Sequence, residues 1–151
     1  MKWAALIAWI ATAGGGFVML AIWLRNGGHK DQTQPGQRIR PPMIFGHFGL
    51  AAAGLVVWII YVAADTEALA WVALAALVPV ALLGFAMLAI WIQRRQGATA
   101  PATSATSGGT LDTTGGEPAE QRFPVPVVVG HGLLAVTTLV LVLLTAAGVG
   151  D

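Results

Sequence analysis

Two histidines stand in matched surroundings. In Pro42-Met43-Ile44-Phe45-Gly46-His47 and in Pro126-Val127-Val128-Val129-Gly130-His131, a histidine follows a glycine and lies five residues beyond a proline. Arg38 and Arg122 each precede that proline by four residues, and Ala51 and Ala135 each follow the histidine by four. Both histidines fall in long apolar stretches, where the nitrogens of an imidazole need partners that lipid cannot supply. With the proline in the first turn of a helix, a rise of about 1.5 Å per residue puts each ring roughly 7 Å along it. Two imidazoles at one depth, facing each other across a four-helix bundle, can supply both axial ligands of a single b-type haem.

The neighbours of the histidines suit a flat ligand. Gly46, Gly49, Gly130 and Gly132 remove side chains beside the rings, and Ala51 and Ala135 keep the next turn of the same face small. Arg38, Arg40 and Arg122 can meet the propionates of a haem as guanidinium–carboxylate pairs, and Phe17, Phe48 and Phe85 can pack against the ring edges. Met19 and Met87 offer a different chemistry, because two thioethers and two imidazoles make a soft site suited to Cu(I). A third possibility binds nothing: each histidine is held by a backbone carbonyl or by headgroup water, and the small residues serve helix packing. His29, in the polar stretch Gly27-Gly28-His29-Lys30-Asp31, has no counterpart in the second half of the chain and reads as solvated.

The elements that must position these residues follow from composition. Hydrophobic residues make up 56% of the chain and charged residues 10%, with a mean hydropathy of +0.74, which is the balance of a membrane protein. Residues 3–24, 43–64, 68–93 and 123–150 contain no Asp, Glu, Lys or Arg, and each is long enough for the roughly 20 residues a membrane-crossing helix needs. The expected fold is all-α and polytopic: four transmembrane helices in a four-helix bundle, arranged as two tandem hairpins, 1–64 and 65–151. The repeat is visible in the residues themselves. Gly16–Trp23 reads GFVMLAIW and Gly84–Trp91 reads GFAMLAIW, identical at seven of eight positions. Two spans per unit make this a parallel repeat about an axis along the membrane normal. The second unit is longer by 16 residues between its glycine and its histidine, and the Ala-, Thr-, Ser-, Gly- and Pro-rich stretch 96–121 reads as a disordered linker. Gly14-Gly15-Gly16 and Pro79 mark a kink or a close approach in helices one and three, and Thr66 is placed to cap helix three.

Lys2 before an apolar run resembles the start of a secretory signal. The run continues past Gly16 into the repeated segment, which assigns it to the mature fold. Arg25, Lys30, Arg38, Arg40, Arg94, Arg95 and Arg122 fall in loops 25–42 and 94–122, against Lys2 alone on the other side. Positive charge is retained in the cytoplasm, so both loops read as cytoplasmic and both termini as outside, in a bacterial inner membrane. Trp3, Trp58, Tyr61 and Trp71 are then expected at the outer interface and Trp23 and Trp91 at the inner one.

Cysteine is absent, which excludes disulfides, thiolate metal sites, iron–sulfur clusters and c-type haem. No nucleophile with a base, phosphate loop or nucleic-acid surface is present, so independent hydrolytic catalysis is not expected. Four helices carrying His47 and His131 with their glycines resemble the small membrane-embedded b-type cytochromes, including the cytochrome b561 type. That resemblance implies haem-mediated electron transfer with a quinone or a partner subunit. The chain departs from those families in having two such histidines, on one side, where they usually have four holding two haems. The competing readings are a cofactor-free accessory subunit docked in a larger membrane complex or self-associating, and a carrier of copper or a small solute.

Overall fold

The structure is a computed structural model and describes residues 1–29, 39–99 and 119–149. It is all-helical. Helices α1 (Lys2–Arg25), α2 (Pro41–Ala64), α3 (Glu67–Thr99) and α4 (Val125–Ala146) are joined by a short 3-10 turn, Ala119–Arg122, ahead of α4. All four helices are long and apolar enough to span a membrane. Their ends have local causes. Arg40 and Pro124, in extended conformation, precede α2 and α4, and Pro42 and Pro126 occupy the first turn, where the missing N–H would have had no helical partner. Helices α1 and α4 end in matched left-handed glycines, Gly27 at φ 77° and Gly148 at φ 71°. In each the next amide reaches back five residues, Gly28 to the Trp23 carbonyl and Val149 to that of Leu144, the double-bonded helix stop that glycine favours.

The boundaries differ from the hydropathy reading in three places. Helix α3 does not stop at residue 93 but continues through Arg94, Arg95 and Gln96 to Thr99, because backbone hydrogen bonding outlasts the apolar run. The linker expected over 96–121 is therefore helical at its start and a 3-10 turn at its end; its residues 100–118 lie outside the described residues. Helix α4 stops at Ala146, since the turn around Gly148 intervenes. Thr66 does not cap α3 through its side chain: its hydroxyl donates to the Ala64 carbonyl at 3.4 Å, while its own carbonyl accepts from Leu69 N–H.

The helices pack in cyclic order, α1 against α2, α2 against α3, α3 against α4 and α4 against α1, with the diagonal pairs α1/α3 and α2/α4 apart. The tightest pairs are α1 with α4 and α2 with α3, so each hairpin packs mainly against the other one. Away from the linkers, the core is built on Trp9, Trp58 and Tyr61 with Ala5, Ala70, Ala73, Leu77, Val142 and Ala146. Ring centroids lie 6.3 Å apart for Trp9–Trp58 and 4.8 Å for Trp58–Tyr61. Gly54 makes this possible, because a Cβ there would stand 3.1 Å from Trp9 Cζ2. Trp58 and Tyr61 are thus core residues, and Trp23 and Trp91 are buried as well; Trp3 and Trp71 are the exposed ones. At the same end Lys2 pairs with Asp65, and Trp58 Nε1 donates to the Lys2 carbonyl at 3.3 Å.

Truncating Trp58 leaves a cavity at the centre of this cluster. Trp58→Ala is expected to lower stability by about 3 kcal/mol, whereas Trp3→Ala, at a side chain 62% exposed, should change it little. Thermal unfolding of the two variants in one detergent is the check.

Candidate cofactor site

His47 is the seventh residue of α2 and His131 the seventh of α4, so the two rings come from diagonal helices at the end where the linkers attach. Their ring centroids are 6.4 Å apart, with planes inclined at 58°. Each ring leans on the helix beside it that belongs to the other hairpin. His47 Nδ1 is 3.0 Å from the Val80 carbonyl of α3, and His131 Nδ1 is 2.9 Å from the Thr12 carbonyl of α1. A carbonyl only accepts, so both Nδ1 atoms carry the hydrogen in these bonds. A neutral imidazole has one N–H, so Nε2 of each ring keeps a lone pair, the state in which imidazole binds a metal, with the other nitrogen held by a backbone oxygen.

Glycine opens the way to those carbonyls. Within a helix the oxygens of Thr12 and Val80 already face the amides of Gly16 and Gly84, four residues on, and the histidine uses a second lone pair. A Cβ at Gly16 would lie 3.3 Å from His131 Cε1, and one at Gly84 would lie 3.3 Å from His47 Cε1. Each ring shows Cε1 and Nδ1 to its glycine and turns Nε2 away from it. Gly15 tightens the α1 side further, since its Cβ would stand 3.3 Å from His131 Cβ. Thr12 and Thr138 join the same two helices, their hydroxyls 3.1 Å apart. The four residues that orient the rings are therefore Thr12, Gly16, Val80 and Gly84. Gly16 and Gly84 head the repeated octapeptide, and Thr12 and Val80 lie one turn before it, which is the signal that could have identified them.

The other expected residues divide. A side chain at Gly46, Gly49, Gly130 or Gly132 would meet nothing within 4 Å, and Ala51 and Ala135 are half-buried. Met19 and Met87 are half-buried on α1 and α3, one turn nearer the linkers than Gly16 and Gly84. Arg40 is exposed at the start of α2. Arg122 Nη1 donates to Asn26 Oδ1 at 2.9 Å and ties the 3-10 turn to the end of α1. Arg38 lies outside the described residues. Phe17 and Phe48 meet each other edge-on, centroids 5.2 Å apart, and Phe85 is exposed. His29 is exposed. Among the described residues no group of three or more His, Cys, Asp or Glu is placed to hold a metal ion, which leaves the histidine pair.

At the linker end, the indole N–H groups of Trp23 and Trp91 and both carboxylate oxygens of Glu120 are among the buried polar atoms with no hydrogen-bond partner. Glu120 is fully buried in the 3-10 turn, which packs on both α1 and α3. Arg95 stacks over the Trp91 ring at 4.9 Å, and Trp23 meets Phe45 edge-on at 6.0 Å.

Comparison with known proteins finds no match for the chain among family models, curated proteins or solved structures.

The glycine contacts make a specific expectation. Gly16→Val or Gly84→Val brings a branched side chain against a ring already in contact with the bare backbone. Each should displace its own histidine, mixing the two imidazole tautomers, while the other ring keeps its Nδ1–H state. Histidine ring nitrogen chemical shifts distinguish the two tautomers directly.

Proposed function

We propose that the chain is a four-span protein of the bacterial inner membrane that holds one b-type haem between His47 and His131 and passes electrons between a quinone or partner subunit and an acceptor. One observation carries this reading: two Nε2 lone pairs on rings whose centroids are 6.4 Å apart. An imidazole nitrogen lies about 1.2 Å from the ring centre and binds a metal at about 2.0–2.1 Å, so two imidazoles on opposite sides of one ion have centroids about 6.4 Å apart. The separation of the two rings fits the group. The diagonal helices α2 and α4 stay apart, and the turns beside the rings carry glycine at positions 46, 49, 130 and 132, of which Gly46 and Gly49 are exposed. When bound, the haem supplies one-electron chemistry; the chain supplies two oriented imidazoles in an apolar surround, which set the ligand field and exclude water.

The repeat supports the same reading. The carbonyl acceptors Thr12 and Val80 are separated by the same 68 positions as Gly16 and Gly84, and each holds the histidine of the opposite hairpin. Two tandem hairpins related by a twofold axis through the site account for both matches. A second reading rests on the same pair: two imidazole lone pairs also suit Cu(I), with Met19 and Met87 one turn nearer the linkers than Gly16 and Gly84. A protein that carries neither group is a cofactor-free subunit of a larger membrane complex or of a homo-oligomer.

A reduced-minus-oxidised absorption spectrum of protein purified from haem-replete cells is expected to show a b-type band, lost in His47→Ala and in His131→Ala. No band in the parent protein would sink the haem reading, and copper retained by the parent but lost from Met19→Leu/Met87→Leu would establish the other. For the orientation, positive charge in both linkers places both termini outside. Because the chain has no cysteine, single cysteines added at residues 1 and 151 should react with an impermeant maleimide on intact spheroplasts, and one at residue 29 only after lysis.

A further inference from the structure

Trp23 and Trp91 occupy the same place in the repeated octapeptide, one on α1 and one on α3. Each is seven residues beyond the glycine against which a histidine rests, so each lies on the same stripe of its helix, about 10.5 Å nearer the linker end. Both indoles are buried, Trp23 at 0% and Trp91 at 7% exposure, and both N–H groups lack a partner. One buried donor without an acceptor costs about 1–3 kcal/mol; two in equivalent positions point to a ligand with two equivalent acceptors. Gly28 does not supply one. A Cβ there would lie 2.2, 2.3 and 2.6 Å from Nε1, Cε2 and Cδ1 of Trp23, nearly equidistant, so Gly28 packs on the face of the pyrrole ring rather than in line with the N–H.

A haem has the required symmetry. Its two propionates leave one edge, and a twofold axis that exchanges the axial histidines also exchanges the propionates. The surrounding charge is favourable: Arg25, Arg40, Arg94, Arg95 and Arg122 stand at this end against Glu120 alone among the described residues. Resting on the haem reading above, we propose that Trp23 and Trp91 are its propionate anchors, each indole N–H donating to one carboxylate. Of the arginines expected in that role, Arg122 donates to Asn26, Arg40 is exposed and Arg38 lies outside the described residues.

The test is titration of haem-free protein with haemin and, in parallel, with haemin dimethyl ester, whose masked carboxyls carry no charge. Trp23→Phe and Trp91→Phe are each expected to weaken haemin binding about tenfold, the size of a hydrogen bond to a charged group, and to leave the ester nearly unchanged. Equal losses for haemin and ester would assign the tryptophans to packing and overturn the proposal, as would unaltered haemin binding in both tryptophan variants. Failure of the parent protein to bind haemin, or binding that survives His47→Ala/His131→Ala, would instead remove the haem reading itself, and the anchors with it.

Discussion

An imidazole N–H in an apolar interior must find an acceptor, and in a bundle of helices the nearest acceptors are backbone oxygens already engaged by their own helix. Much else at the linker end follows from how this chain meets that demand. Gly16 and Gly84 strip side chains from the turn where a second lone pair is accessible, and His131 and His47 enter from the neighbouring helices. The price is close approach of α1 to α4 and of α2 to α3, and the cyclic packing order accommodates it. Once Nδ1 is fixed, the lone pair of Nε2 is fixed too, so a structural hydrogen bond determines what the ring can do chemically.

The two ends of the bundle are built on different principles. Away from the linkers, large rings fill the centre, and Gly54 exists to admit Trp9. Among the described residues no buried side-chain polar atom there lacks a hydrogen-bond partner. At the linker end the interior holds imidazoles, buried indole N–H groups and a carboxylate, several of them without partners. Such groups are costly in apolar surroundings, and they are concentrated at one end of the bundle.

Much of this was legible in the residues. Four charge-free stretches gave the helices, and prolines at matched positions located the first turns of α2 and α4. The glycine–histidine pairs marked the depth of the site. What could not be read was which helix faces which. In a soluble bundle a stripe of apolar residues identifies the buried face; here the outer surface is as apolar as the core, as the exposed Ile7, Leu82 and Leu133 show, so the pattern is silent on partners. The same reason explains Trp58 and Tyr61, which read as interfacial and are central. Helix α3 ran beyond its apolar stretch because Arg94, Arg95 and Gln96 are good helix formers and only their hydropathy argued against them. Backbone acceptors such as the Thr12 and Val80 carbonyls leave no trace in a residue pattern, because any residue carries one.

The cross-hairpin anchoring sets an order of assembly. His47 waits for Val80, 33 residues later, but Thr12, in the first helix made, is not engaged until His131 arrives 119 residues on. A chain emerging from the ribosome therefore lacks one of the two ring contacts until α4 is in place, and neither hairpin can anchor its own histidine. Loss of α4 leaves one imidazole with no opposite number rather than a weakened pair, so the pair exists only when all four helices are present.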